Sequence, residues 1–407
     1  MSNSKLVLRN DNSISYYDYS LQLNRWFLKP IGAWPEKNTS NVIKNVFVLI
    51  QILICWTILI FISGPCLLYV LFEAKDIPSK LNAVGPLLHR IMGSVNYLTL
   101  LKRRRDLRVY MQHMAMDWQL IQRIDDREIM LQYAKFGRLI SGICGIIMQG
   151  STMLFSITKT TKKVPIVVDN QTVMMYPMVC PSYQKFIDTK FSPTNEIVLS
   201  VQFLSTFIVG SATAGICSLA AVFATHACGQ LNVLYKRLDE LDKKDEKENK
   251  PAEQKMIIIV EHHLRILSQI TRMESIMHNA CLVEIMGSTI NMCLLGYYSI
   301  MNWANFDGAK ITSYIIVYVS LTFNLFIFCY IGEILTEQCK NVGHAAYMTN
   351  WYNLNPKTAR GLVLIIAQSS KMIKITAGKL FSLSIATFGD VLRTSVAYLN
   401  MLRTMTM

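Results

Sequence analysis

Long apolar runs separated by basic connectors organise this chain. A bilayer crossing needs about 20 mostly apolar residues. Such runs fall at 44–72, 81–101, 134–158, 195–225, 280–304, 311–337 and 380–404. The pattern predicts an all-α membrane protein with seven transmembrane helices, because a helix satisfies its own backbone groups in lipid. The second and seventh runs are the least apolar. The seventh carries Asp390, Arg393, Thr394 and Thr404, a polar set that suits a helix facing water inside a protein better than a lipid-facing anchor. The apolar stretch 361–367 is too short to cross and reads as part of a helix packed on protein at the membrane face.

Lysine and arginine collect in alternate connectors. The second holds Lys102, Arg103, Arg104 and Arg105, the fourth Lys236, Arg237, Lys243 and Lys244, and the sixth Lys340, Lys357 and Arg360. Connectors rich in positive charge stay in the cytosol, so the amino terminus is expected inside and the carboxyl terminus outside. The division that follows is a cytosolic amino-terminal segment 1–43, a six-helix region 44–337, a cytosolic segment 338–375 and a last helical segment 376–407. The six-helix region includes a long outer loop, 159–193, and a cytosolic helical extension, 226–279. In that extension Leu231, Leu234, Leu238 and Leu241 recur at helical spacing, as do Val260, Leu264, Leu267 and Ile270. The charged stretch 239–255 between them reads as a solvated loop. Of two glycosylation sequons, the one at Asn38 falls inside, and the one at Asn170 falls in the outer loop, where it can be modified.

Composition agrees with the pattern. Of 407 residues, 52% are hydrophobic and 17% charged, against about 25% charged in soluble proteins. The net charge of +14 sits in short connectors without interleaved aromatics, so nucleic acid is not the expected partner. Ten cysteines lie mostly in apolar runs, with no CxxC and no zinc-ligand spacing, and read as small hydrophobes. No metal site and no cofactor are expected. The phosphate-binding loop, the HExxH helix and the GxSxG elbow are absent, so the chain does not read as an enzyme. His262 and His263 are adjacent and face different sides of a helix, and the run Asp125 to Glu128 reads as a solvated face. Asp126-Arg127 and Asn353-Leu-Asn-Pro356 mimic G-protein-coupled receptor motifs, but both lie in connectors and the inferred orientation is opposite.

One set of residues carries a family resemblance. It comprises Gly332-Glu333, Ala345-Ala-Tyr-Met-Thr-Asn-Trp-Tyr352, Lys357-Thr-Ala-Arg360, Thr376-Ala-Gly-Lys379 and Val391-Leu-Arg-Thr-Ser395 with Tyr398 and Leu402. Together with His226-Ala-Cys-Gly-Gln-Leu231, it resembles the signature of the insect odorant receptors. Ser382 and Ala386 stand where that family often has Pro and Glu. The resemblance implies a subunit of a tetrameric, ligand-gated, non-selective cation channel in the plasma membrane of an olfactory neuron's dendrite. It further implies a shared co-receptor subunit as partner, membrane lipid around the complex and a small volatile ligand. At 407 residues the chain resembles a tuning subunit, not the longer co-receptor. Two alternatives stand beside this reading: a gustatory-type channel of the same superfamily and a G-protein-coupled seven-helix receptor.

The resemblance also assigns residues. The family's odorant site lies in the outer halves of helices two, three, four and six. Matching by position gives Leu88 and Met92; Gly150, Ser151 and Leu154; Leu199, Gln202, Phe203 and Thr206; and Tyr314 and Val317. Ser151, Gln202 and Tyr314 would orient a ligand by hydrogen bonds in an otherwise apolar cavity. Tyr347, Trp351, Tyr352 and Arg360 fall in the subunit anchor. In the last helix, about 100° per residue places Asp390, Thr394, Ala397 and Met401 on one stripe, with Thr404 and Met405 near it and Val391, Leu399 and Leu402 opposite. By resemblance Met401 is the gate, since a thioether ring can close a pore by dewetting. Asp390 would attract cations. Arg393, about 80° from Met401, is expected to pair with a carboxylate or reach a subunit seam.

Overall fold

Each apolar run forms a helix in the computed structural model, which describes residues 16–36, 42–161, 163–168, 171–242, 251–303, 308–371 and 374–406. A short helix α1 spans 16–28. It is followed by α2 (Val42–Leu68, extended by a π turn Tyr69–Glu73), α3 (Ile77–Lys102), α4 (Arg104–Leu120) and α5 (Ile124–Thr160). A two-stranded hairpin, β1 (Val164–Val168) with β2 (Gln171–Met175), pairs antiparallel with Val164 opposite Met175. Then come α6 (Thr194–Asp239), α7 (Ala252–Trp303), α8 (Gly308–Met348), α9 (Pro356–Ser370), a second short antiparallel pair β3 (Thr376–Ala377) and β4 (Phe381–Ser382), and α10 (Ile385–Thr406). Among the described residues, five helices are long and apolar enough to cross a membrane: α2 with its π turn, α5, α6, α7 and α8. The helices α3 and α10 fall short of that measure; the first carries His89 and Arg90, the second Asp390 and Arg393.

The bundle is built around α6, which packs against α2, α3, α5, α7 and α8. From Ser205 to Leu231 it is buried except at Phe207. Its many Gly, Ala and Ser residues let neighbours approach from every side. At 1.5 Å per residue, α6 with 46 residues and α7 with 52 are about 69 and 78 Å long. Both exceed the roughly 30 Å hydrocarbon layer, so their far halves project beyond it. In those halves Leu231, Leu234, Leu238, Leu267 and Ile270 are buried, whereas Val260 is half-buried and Leu264 is exposed, so the second stripe packs only in part.

One packing feature was not visible in hydropathy. Residues 16–36, within a stretch of polar average, wedge into the core, where Leu21, Leu28 and Ile31 are buried. A Cβ at Gly145 of α5 would strike Phe27, and one at Gly215 of α6 would strike Leu28. Both glycines therefore make room for α1 and the turn after it. The segment is tied down by the Tyr97 hydroxyl donating to Ile31 O (2.8 Å), Arg104 to Trp34 O (2.9 Å) and Arg138 to Tyr19 O (2.7 Å).

A buried carboxylate holds α4 against the projecting halves of α6 and α7. Asp117 is 2% exposed. It meets His226 Nε2 at 3.1 Å, the Gln269 amide at 2.7 Å and Arg265 Nε at 3.6 Å. Burial alone would raise its pKa. The hydrogen bond and charge of His226, the Gln269 amide and the Arg265 charge outweigh that and hold it below the ordinary carboxylate value. At the start of the last helix, Gly378 and Lys379 both take positive φ (60° and 62°) in the β3–β4 turn. The Gly378 N–H donates to His278 O at 2.8 Å, and Thr376 Oγ1 to Glu274 Oε1 at 2.5 Å. The Thr376-to-Lys379 motif is thus the tight turn that pins the start of α10 onto α7.

Candidate functional site

Five helices converge on one cavity at the end of the bundle that carries the β1–β2 hairpin. Its volume is about 70 Å³. The amino-terminal part of α3 contributes Pro86, His89 and Arg90; the end of α5, Thr152, Phe155 and Lys159; α6, Thr206; α7, Asn291, Leu294 and Tyr298; and α8, Tyr314, Val317 and Leu321. Tyr314 stands between Phe155 and Tyr298, with ring centroids 5.9 Å from each, and the three form an aromatic wall. A smaller space of about 20 Å³ adjoins it deeper in the bundle, sharing His89, Thr152, Val317 and Leu321 and reaching Met92, Ser151, Glu284 and Asn324.

Of the residues matched from sequence, Thr206, Tyr314 and Val317 line the main cavity, and Met92, Ser151 and Val317 line the deeper one. Leu88, Leu199 and Phe203 are half-buried, Gly150 and Leu154 are exposed, and none of these five lines either space. Gln202 is buried and engaged elsewhere. Its Oε1 accepts from the Val179 and Cys180 N–H groups (3.1 and 3.3 Å), and its Nε2 donates to Cys180 O (2.7 Å). The amide therefore fastens the long loop to α6, with each side-chain atom mated to loop backbone.

Two groups that matching did not find dominate the polar side of the site. Arg90 is 2% exposed and lines the main cavity. Glu284, 1% exposed, accepts from Asn96 Nδ2 (2.5 Å) and Asn324 Nδ2 (2.6 Å), which links α7 to α3 and α8. Both are ionisable residues inside apolar runs, and that is the sequence signal that marks them.

The helix α10 shows the opposite condition. It packs on α7 and α8 through buried Val391 and Ser395, with Leu392, Leu399 and Leu402 half-buried. Asp390, Thr394, Ala397, Met401 and Thr404 are all exposed. Val396, Tyr398, Asn400 and Arg403 are exposed as well, so burial marks one packed side of α10, holding Val391 and Ser395, and the exposed positions face away from the chain. Arg393 is exposed too and sits 3.8 Å from Asp390, one turn earlier. The Met405 side chain and Asn170 lie outside the described residues. Tyr347, Trp351, Tyr352 and Arg360 are exposed at the α8–α9 connection, beside exposed Met348, Val363 and Leu364. That gathers an apolar, aromatic surface uncovered by this chain.

The profile of the 7tm odorant receptor family matches residues 76–396. The chain belongs to this family. Odorant receptor 10 of Aedes albopictus is 24% identical over 310 residues, covering 75% of this chain and 79% of that protein. Odorant receptor 13a of Drosophila melanogaster is 27% identical over 226 residues, 50% of this chain and 53% of that protein. The odorant receptor coreceptor of Harpegnathos saltator is 30% identical over 141 residues, only 34% of this chain and 29% of that protein. The fold is that of the insect olfactory receptor OR5 from Machilis hrabei. Its complex with eugenol superposes with a TM-score of 0.77 at 14% identity, covering 97% of this chain and 100% of that one. A second structure of the same Machilis hrabei receptor gives a TM-score of 0.75 at 16% identity, covering 95% of this chain and 99% of that one. This odorant receptor is accordingly a helical membrane protein, as the resemblance implied.

Proposed function

We propose that this odorant receptor is the ligand-binding subunit of a ligand-gated, non-selective cation channel, assembled with the co-receptor as a heterotetramer in the plasma membrane of an olfactory neuron's dendrite. In this reading α2, α3, α5, α6, α7, α8 and α10 cross the bilayer. The amino terminus lies in the cytosol and the hairpin end faces outside. A small volatile ligand enters the cavity, and α10 contributes the exposed stripe from Asp390 to Thr404 to a shared pore, with Met401 as gate. Tyr347, Trp351, Tyr352 and Arg360 meet neighbouring subunits. The eugenol complex of the Machilis hrabei receptor supports a small-molecule occupant.

The observation that carries the reading is the placement of α7 between the two regions. Leu294, Leu295 and Tyr298 of α7 line the cavity. One residue away, Gly296 is where Leu399 of α10 packs, 3.1 Å from the position a Cβ would take. A ligand that changes the packing of α7 around Leu294 and Tyr298 therefore acts on the helix against which α10 rests. For that contact to open a pore, the ligand must bind the open arrangement more tightly than the closed one.

The test is co-expression in a cell that lacks both subunits. Odorant-evoked cation current is expected with the co-receptor present, and a Gly296→Val variant should alter gating by pressing on Leu399. Absence of current to a broad odorant panel, with both subunits at the cell surface, would refute the reading.

A further inference from the structure

We propose that the cavity is built for ligands that carry a carboxylate on an apolar tail, with the Arg90 guanidinium as the carboxylate's anchor. This rests on the reading of the cavity as the ligand site. Arg90 is almost fully buried, yet its contacts are two long hydrogen bonds to neutral oxygens and a hydrogen bond with the Cys180 thiol. Nη1 donates to Pro86 O and Nη2 to Thr206 Oγ1, each at 3.4 Å, and Nε has no partner. Among the described residues no carboxylate pairs with it. A buried guanidinium without a carboxylate partner is expensive to maintain, and it offers a planar fork of donors that matches a carboxylate.

The surroundings favour the same ligand. His89 lines the same cavity, and its Nε2 also has no partner, which supplies a second donor in the tautomer protonated there. Lys159, at the cavity edge, reaches Asn82 Oδ1 at 3.5 Å and lies over the Phe155 ring at 5.7 Å, adding positive charge. The local field already acts on a protein group. The pKa of the Cys180 thiol in the adjoining loop is lowered by its hydrogen bond with Cys66 and, against the desolvation penalty, by the charges of Arg90 and Lys159 and a hydrogen bond with Arg90. At the deeper end the side-chain amides of Asn96 and Asn324 are already taken by Glu284. The ligand's head is thereby confined to the Arg90 end and its tail to the wall of Phe155, Tyr298 and Tyr314.

The test pairs each acid with the alcohol of the same skeleton: butanoate to octanoate with their alcohols, and phenylacetate with 2-phenylethanol. The readouts are evoked current from the receptor with its co-receptor, and thermal stabilisation of the purified complex, which does not require conduction. Acids should act and stabilise at concentrations at least tenfold lower than their alcohols. Arg90→Gln should raise the acid concentration needed at least tenfold and move the alcohol less than threefold; Arg90→Lys should keep the preference. If Arg90→Gln does not fold, the acid-to-alcohol ratio in the wild type and in Arg90→Lys decides. Equal effects of acid and alcohol on the wild type would overturn the inference, as would an equal shift of both by Arg90→Gln. Current driven by neutral odorants without any response to carboxylates would remove this inference and leave the channel reading intact. Stabilisation by phenylacetate that depends on Arg90, without any current, would do the reverse.

Discussion

Polar residues occur inside apolar stretches in two regions of this receptor, and the protein treats them in opposite ways. In the core of the bundle, Glu284 accepts hydrogen bonds from Asn96 and Asn324, and Gln202 is mated to the backbone of the long loop. On α10, Asp390, Thr394 and Thr404 face away from the rest of the chain. Hydropathy alone does not distinguish the two cases. The difference lies in surroundings: Glu284 and Gln202 are buried and engaged by partners on other elements, whereas Asp390, Thr394 and Thr404 are exposed and bond within their own helix, leaving their outer faces to water or another subunit. Substitutions in the first group should therefore disturb folding, and those in the second should disturb conduction.

The largest effect is expected at Glu284. Glu284→Ala leaves the two amides without their shared acceptor, at about 1–3 kcal/mol for each orphaned group. The purified receptor should melt markedly earlier and reach the cell surface poorly; an unchanged melting temperature would break the comparison at its core side. Next is the pH dependence carried by Asp117. Its carboxyl is held below the ordinary value, so its stabilising contribution is full above the unfolded pKa of about 3.9 and is lost as pH falls through the lower folded value. Thermal stability should drop on acidification below about pH 4, and Asp117→Asn should flatten that limb. A parallel acid limb in the variant would assign the effect to other groups.

Tyr314→Ala removes the middle ring of the aromatic wall and should reorder ligands by potency while leaving the maximal current intact, measured as dose–response curves across an odorant panel. Identical rankings would place the ligand elsewhere. The smallest stability change is expected at Asp390. Asp390→Asn, at an exposed site, should alter stability by no more than about 0.5 kcal/mol. It should nonetheless lower divalent permeation, read as a shifted reversal potential in calcium-rich solution.

How far the sequence disclosed these regions depends on how local the determining interactions are. The helices were legible because each apolar run is contiguous, and the two faces of α10 were legible because Val391 and Leu399 recur on one side of a regular helix. The β3–β4 turn was marked by Thr376 to Lys379, although its purpose, fastening α10 to α7 at His278, needed the fold. The cavity was only partly legible. Matching by helix position found Thr206, Tyr314 and Val317, but Gln202 binds a loop whose path is set by contacts remote in sequence. Arg90 and Glu284 were passed over because averaging over an apolar window hides a single charge, although a lone ionisable residue in such a run is itself the signal. The wedge of α1 was hidden for a related reason: Leu21, Leu28 and Ile31 sit among polar neighbours that dilute them.

The account depends most on α10 presenting its polar stripe to a conducting pore. All ten cysteines of the chain are buried, so a cysteine placed on that stripe can be addressed with a water-soluble thiol reagent while odorant holds the channel open, the unsubstituted complex serving as control. Thr394→Cys and Met401→Cys should show current block on modification, and Leu399→Cys, packed on Gly296 of α7, should not. Block at Leu399→Cys with none at Thr394→Cys or Met401→Cys would contradict the assignment of the two faces and the channel reading built on it.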